Sequence, residues 1–427
     1  MSELAILGGP KAITNPFLRY NSIGLEELEA VKSVVEKGVL SRFLGCWDPD
    51  FYGGEKVQEF EREWERYFFV RHAVTVNSNT SGLIAAVGAI GIEPGDEVIV
   101  SPWTMSASAT SILFWSGIPV FADIEMETFN LDPVSIEKNI TPYTKGIMVP
   151  DIFGHSADMD RIMAIACKHN LKVIEDAAQA PGALYKGQYV GTMADIGVYS
   201  LNYHKHIHTG EGGVCVTHDP VLAERMQLIR NHGEAVVGDK GTENLSNMIG
   251  FNFRMTEIEA AIGIEQLKRL PNLIAQRMKV ANRLSSGISN LKGLCMPVVK
   301  PDCTHVYYVY PLLYNQEETK MPRHILIKAL QAEGVPVAAG YQNLHLLPIY
   351  QNKIAFGTKG YPWTSESYKG HVSYQKGICP VAEALHDESF LQIGLCTHTF
   401  VDHEVDAMVC AFHKVWNNMD DLRALNN

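Results

Sequence analysis

Nothing in this sequence approaches the ~18 consecutive apolar residues of a membrane-crossing helix, and the opening Met1-Ser2-Glu3-Leu4 has no basic segment ahead of an apolar one. Both absences lead to the expectation of a cytoplasmic chain with no membrane partner. Positive charge is scarce: 36 Lys and Arg stand against 48 Asp and Glu, a formal charge of −12 with no compact basic run to offset it. That balance disfavours nucleic acid as a partner. The eight cysteines, at positions 46, 167, 215, 295, 303, 379, 396 and 410, form no C-x-x-C pair and no ligand-like spacing. Reduced thiols are expected, and no metal. His204 and His208 have H-x-x-x-H spacing, but that pattern converges on a metal only from a helix face, and the glycine-rich run just beyond argues against a helix. A G-x-G-x-x-G fingerprint is missing after the first predicted strand, which speaks against a nicotinamide enzyme. Internal repeats, low-complexity tracts and flexible linkers are missing too.

What is present is an ordinary globular composition, 46% hydrophobic and 20% charged, in 427 residues, enough for one large domain and a smaller companion. An amphipathic helix is predicted at Gly24–Lys37, with Leu25, Leu28, Val31, Val34 and Val35 on one face. Residues 39–55 are aromatic and turn-rich, too irregular for an element. Then helices and strands alternate: helix 56–69, strand Ala73–Val76, helix Leu83–Ile90, strand Glu97–Val100, helix 106–116, strand Pro119–Ala122, helix 133–138, strand Gly146–Val149, helix Asp158–His169, strand Leu171–Ile174. This spacing predicts βαβ units and an α/β fold with a mainly parallel central sheet flanked by helices. Helices follow at 220–232 and 256–269, the second closed before Pro271. A long helix, Ile274–Leu291, leads into strand Tyr307–Leu313 and helices 321–333 and 404–417. We expect a large α/β domain over 1–271 and a smaller C-terminal α+β domain over 272–427.

The stretch Gly197–Thr217, GVYSLNYHKHIHTGEGGVCVT, organises the rest. Lys205 stands between two short apolar strands, ahead of Gly210-Glu211-Gly212-Gly213. Desolvation disfavours the charged form of a lysine held in this way, so its neutral amine can attack a carbonyl carbon, which is Schiff-base chemistry. Upstream, the strand in Lys172-Val173-Ile174-Glu175-Asp176 ends in a carboxylate where open α/β sheets bind ligands. A Schiff-base lysine and a strand-end Asp are what pyridoxal phosphate requires, the carboxylate keeping the pyridine nitrogen protonated. The turn Asn77-Ser78-Asn79-Thr80-Ser81-Gly82, at a strand-to-helix junction, presents unpaired N–H groups at the positive end of a helix. It is either a phosphate cradle or a simple cap by Ser78 or Thr80; alongside Lys205 and Asp176, phosphate is favoured.

The pair EDAAQA and S-x-x-x-x-K-x-x-x-T-G-E-G-G resembles the sugar aminotransferases of the DegT/DnrJ/EryC1/StrS family, and the likeness runs from LAILGGPKAI to the final helix. It implies a fold-type-I enzyme with pyridoxal 5'-phosphate on Lys205, Asp176 at the ring nitrogen, and Gln179 near the ring's O3′ or face. It also implies Ser78, Asn79, Thr80 and Ser200 on the phosphate, joined by Asn252 of a neighbouring subunit, so that a homodimer shares its active sites. Relatives cover the ring with an aromatic residue, and counting back from Pro119 assigns that position to Met105, with Trp103 as the alternative. Asp151 stands where the family often has His. The family position of residues 39–55, at the active-site mouth, suggests Phe43, Trp47 and Tyr52 as substrate-pocket residues, or else as cover for the core. His305, Tyr341 and His345 match cleft positions, with packing as the alternative. His204, His206 and His208 replace small residues and either cap the turn or contact the acceptor. The implied reaction takes an amino group from glutamate or glutamine, passes through pyridoxamine 5'-phosphate, and aminates a keto sugar, most often nucleotide-linked. Lys205, where some dehydrating relatives have His, argues for amino transfer. The opening LAILGGPK and the Lys-His pair also resemble keto-cyclitol (inosose) aminotransferases. A non-catalytic cofactor-binding or regulatory protein is the alternative of another class.

Overall fold

Seven strands with near-continuous apolar runs form the main sheet of the computed structural model, which describes residues 3–424. They are β1 (His72–Val76), β2 (Glu97–Val100), β3 (Ile118–Phe121), β4 (Thr144–Pro150), β5 (Lys172–Asp176), β6 (Ile196–Ser200) and β7 (Gly213–Thr217). Their order is β1-β7-β6-β5-β4-β2-β3. Strand β7 is antiparallel to both its neighbours, and all other pairs are parallel. Side chains of a strand alternate between faces, and here both faces are buried. Val74, Val76, Val198 and Cys215 join one core cluster, whereas Ala73, Tyr199, Val214 and Val216 join another.

Helix α1 is Leu25–Lys37 and α2 is Glu55–Phe68; the helices between the sheet strands are α3 (Asn79–Ala89), α4 (Ala107–Phe114), α5 (Pro133–Lys138) and α6 (Met159–His169). After β7 come α7 (Pro220–Arg230), α8 (Glu257–Ile288), α9 (Arg323–Ala332) and α10 (Asp402–Asn417). Val57, Phe60, Trp64 and Phe68 give α2 one apolar stripe, packed beneath the sheet with α8. The helix expected to close before Pro271 instead runs unbroken from Glu257 to Ile288 with Pro271 inside it. An interior proline costs a helix ~3 kcal/mol; burial of Leu267, Leu270, Leu273, Ile274, Ala281 and Leu284 around it offsets that cost. Residues 271 and 272, where a domain division is expected, therefore lie within one helix. Beyond it, β8 (Leu294–Cys295), β9 (Val309–Tyr314), β10 (Val337–Ala338) and β11 (Phe390–Gly394) form an antiparallel sheet in the order β8-β9-β11-β10. Among the described residues no helix is long and apolar enough to cross a membrane.

The apolar face expected on α1 is only partly covered by this chain: Val34 is buried and Val31 half-buried. Leu25 is 75% exposed, Leu28 58% and Val35 55%, and only Glu27 and Val34 of that helix are buried.

An ion pair is sealed between α2 and α7. Arg230 is wholly buried and donates from Nη1 to Glu61 Oε1 at 2.7 Å and to the Thr75 carbonyl at 3.1 Å; Glu61 also accepts from the Thr75 N–H and hydroxyl, both at 2.9 Å. Removing one partner of a buried pair strands the other charge, at ~3–5 kcal/mol. Glu61→Ala is therefore expected to lower stability by about that much, read as a fall in the urea midpoint with an unchanged m-value.

Candidate active site

The carboxyl ends of the sheet strands meet at one cavity of about 190 Å³. Asp176 is the last residue of β5 and Ser200 the last of β6, while Asp151 follows β4 directly. Ser78, Asn79 and Thr80 follow β1, Met105 precedes α4, and Lys205 lies in the turn between β6 and β7. All eight wall the cavity, together with Gln179, His204 and Glu211. Convergence of strand ends is how open α/β sheets build ligand sites.

Neighbouring carboxyls on β5 point to opposite faces and take different tasks. Glu175 accepts from the Gly191 N–H at 2.7 Å and from the N–H groups of Met193 and Ala194, holding the loop before β6, and burial pushes it up to about 7. Asp176 faces the cavity. Its Oδ2 accepts from Ser108 Oγ at 2.7 Å, and its Oδ1 accepts from the Ala178 N–H at 3.3 Å and from Asn79 Nδ2 at 3.4 Å. Burial raises the Asp176 carboxyl above its usual range; the Ser108 hydroxyl and the charge of Lys205 act against that rise. Lys205, 8% exposed, shows the converse: desolvation brings its amine down to about 8, opposed by the negative field of Asp176. The Lys205 Nζ also stands 4.4 Å from the centre of the Tyr308 ring.

At the start of α3 the Ser78 side chain accepts from the Ser81 N–H at 3.0 Å. Its hydroxyl is thus engaged in capping, and the N–H groups of Asn79 and Thr80 remain as donors at the positive end of the helix. Gly213 lets β7 approach this turn: a Cβ there would lie 2.8 Å from the Asn79 nitrogen. The donor set suits pyridoxal phosphate: a lysine amine, a carboxylate already oriented by hydrogen bonds, a helix N-terminus with hydroxyls beside it, and Met105, 60% exposed, at the cavity wall.

Several predicted residues lie elsewhere. Trp103 is fully buried against Phe129, Phe153 and Phe390 and does not reach the cavity, so of the two ring-covering candidates only Met105 stands there. Phe43 is drawn into the core beneath Arg230, 4.8 Å from its guanidinium, and Tyr52 accepts a hydrogen bond from Lys240 at 3.0 Å; neither walls the cavity of its own chain. His206 points away from Lys205 and donates from Nε2 to the Val306 carbonyl at 2.9 Å. His345 is buried against Glu383 at 2.9 Å, so packing is its role; His305, also buried, accepts from the Tyr307 N–H. Tyr341 is adjacent, its hydroxyl accepting from Gln179 Nε2 at 2.8 Å, while Gln179 Oε1 accepts from the Phe153 N–H. Asn252 is exposed and outside this chain's cavity. Ser108, Glu211 and Tyr308 were not legible as site residues. Ser108 reaches Asp176 across 68 positions of sequence, and Tyr308 reaches Lys205 from the far side of α8, so no local pattern marks either.

Residues 46–393 match the model of the DegT/DnrJ/EryC1/StrS aminotransferase family. The GDP-perosamine synthase of Caulobacter vibrioides is 38% identical over 310 residues, 72% of this chain and 82% of that protein. An L-glutamine:2-deoxy-scyllo-inosose aminotransferase of Streptoalloteichus tenebrarius is 32% identical over 438 residues, 99% of both. Among solved structures, an aminotransferase from Psychrobacter cryohalolentis superposes with a TM-score of 0.80 at 31% identity, covering 94% of this chain and 99% of that one. With the lysine, the strand-end carboxylate and the helix-capping turn brought to one cavity and the match spanning most of the sequence, the chain belongs to the DegT/DnrJ/EryC1/StrS aminotransferase family.

Proposed function

We propose that this protein is a pyridoxal-phosphate-dependent aminotransferase that moves an amino group from glutamate or glutamine to the keto group of a sugar or cyclitol in amino-sugar biosynthesis. The observation that carries the reading is the burial of Lys205 and Asp176 in one cavity, with the amine brought down to about 8. When bound, pyridoxal phosphate supplies an aldehyde carbon that takes up amino groups and a protonated ring that accepts the electron pair of a broken C–H bond. Asp176, steadied by Ser108, would keep the proton on the ring nitrogen. Asn79, Thr80, Ser78 and Ser200 would hold the phosphate, and Met105 and Gln179 line the space left for the ring. Lys205 would hold the cofactor through its neutral amine and would carry the proton from the donor's α-carbon.

A shared active site between two copies follows from the same reading. The exposed Leu25, Leu28 and Val35 of α1, with Leu40, Leu44 and Trp47 beyond it, make an uncovered apolar surface that suits a self-complementary interface. In such a pair the exposed Asn252 contributes to the partner's phosphate site.

The acceptor has two supported readings. GDP-perosamine synthase represents nucleotide-linked sugars. The inosose aminotransferase aligns over 99% of both chains and represents free cyclitols.

The direct test is to incubate the cofactor-loaded protein with glutamate or glutamine, measure keto acid release, and then supply keto sugars or an inosose and look for their amines. No keto acid release would overturn the reading. Lys205→Ala is expected to bind cofactor yet take no covalent label on borohydride reduction; retained turnover would remove Lys205 from the mechanism. Because only the neutral amine attacks, cofactor uptake by the apo-protein, followed by absorbance, is expected to accelerate with pH and level off above about 8. A profile that climbs on towards 10.5 would mean a water-exposed lysine. Ser108→Ala is expected to weaken cofactor binding about tenfold, since a hydrogen bond to a charged group contributes ~1.5 kcal/mol.

A further inference from the structure

Three histidines surround Lys205 in the sequence, and the fold gives them different tasks. His206 donates to the Val306 carbonyl, and His208 Nδ1 accepts from the Gly210 N–H at 3.3 Å, closing the turn. His204 does neither. It is half-buried and walls the same cavity as Lys205, and among the described residues neither of its ring nitrogens has a hydrogen-bond partner. Its ring contacts are Tyr203, edge-on at 4.9 Å, and Tyr308 at 6.1 Å. The Lys205 Nζ stands 4.4 Å from the centre of that same Tyr308 ring, so the imidazole and the amine are gathered against one phenol.

The charges around the cavity are unequal. Of the described side chains that wall it, Asp151, Asp176 and Glu211 are carboxyls, and only Lys205 and His204 can carry a positive charge. Asp176 is committed to the cofactor ring, Lys205 to the cofactor's carbonyl carbon, and the start of α3 to the phosphate. An amino donor adds a further negative group. The carbon of its α-carboxylate lies two bonds from the amine that must reach the cofactor, so this anion has to come to rest close to Lys205. A carboxylate withdrawn from water needs a donor in place of its hydration, and a charged donor serves best. His204 is the wall residue left to supply one. Burial lowers its affinity for protons and the Lys205 charge acts in the same direction, while Glu211 opposes them. Glu211 is itself exposed, and its two carboxylate oxygens accept from Asn202 Nδ2 at 2.9 and 2.8 Å. An anion set against the imidazole shifts the balance towards the protonated ring, so its binding near neutral pH draws in a proton.

We propose that His204 holds the α-carboxylate of the amino donor and thereby positions the donor's amine beside Lys205. The role rests on the amino-transfer reading, but the anion binding it requires can be measured without turnover. Glutamate and glutamine carry the same α-carboxylate, so His204 serves either.

The test uses full-length, cofactor-loaded protein and glutarate, which keeps carboxylates at the donor's spacing and lacks the amine. Calorimetric titration near pH 7 is expected to show saturable binding to the wild type with uptake of a proton, read as a heat that varies with the ionisation enthalpy of the buffer. His204→Ala is expected to weaken glutarate about tenfold and to abolish the proton uptake. His204→Gln keeps an N–H donor that does not titrate, and is expected to recover part of the affinity without the uptake. It also carries the test should the alanine variant lose the cofactor's absorbance. In the donor half-reaction both variants are expected to raise the donor KM more than they lower kcat, with the acceptor KM unchanged. Absence of glutarate binding to the wild type, equal affinity in the wild type and both variants, or proton uptake that persists in the variants overturns the proposal. So does a rise in the acceptor KM with the donor KM unchanged. A failure of keto acid release from glutamate and glutamine, with glutarate binding and its loss in the variants intact, would count against the amino-transfer reading and leave the anion site standing.

Discussion

The burial of an amine and a carboxylate in the same small space is the constraint that the rest of this molecule serves. Desolvation disfavours both charges, lowering the affinity of Lys205 for protons and raising that of Asp176, while each charge restrains the shift of the other. The balance leaves Lys205 with an amine at about 8, accessible as a nucleophile without a separate base. For Asp176 the restraint is reinforced by Ser108, Ala178 and Asn79, which between them contact both carboxyl oxygens and fix the direction in which the group faces.

Holding that pair requires a scaffold that does not yield. The sheet is covered on both faces, and the alternation of its side chains assigns adjacent residues to different cores. The same alternation separates Glu175 from Asp176: one organises a loop by accepting backbone N–H groups, the other looks into the cavity. Lys205 is steadied from outside the sheet as well. The hydroxyl of Tyr20, from the N-terminal arm, donates to the His206 carbonyl at 2.8 Å, and the His206 ring donates to Val306, two residues before Tyr308. The turn carrying the lysine is therefore bound both to the N-terminal arm and to the segment that follows α8. Of the histidines that could be mistaken for ligands, His206 serves this bracing, and burial holds both His206 and His305 well below their ordinary range.

The surfaces left open are as informative as the buried ones. Helix α1 packs on α8 through Val34 and Glu27 yet turns Leu25, Leu28 and Val35 to solvent, the strip on which the proposed pairing of two copies rests.

Sequence by itself determined the alternating architecture, because strands buried on two faces must be apolar runs and the helices between them must carry stripes. It also determined Lys205, Asp176 and the Ser78-Asn79-Thr80 turn, since each lies at a strand end or helix start where local pattern and chemistry coincide. Only the tertiary structure decided which neighbours matter. Met105 rather than Trp103 stands at the cavity because the indole found a fully apolar nest among three phenylalanines. Phe43, His206 and His345 withdrew into packing because a buried guanidinium, a backbone carbonyl and Glu383 offered them partners. Ser108 and Tyr308 entered because folding closes distances of many residues that no periodicity records. Pro271 stayed inside a helix because the apolar contacts on either side outweigh one missing hydrogen bond, a comparison between energies that only the packed chain can make.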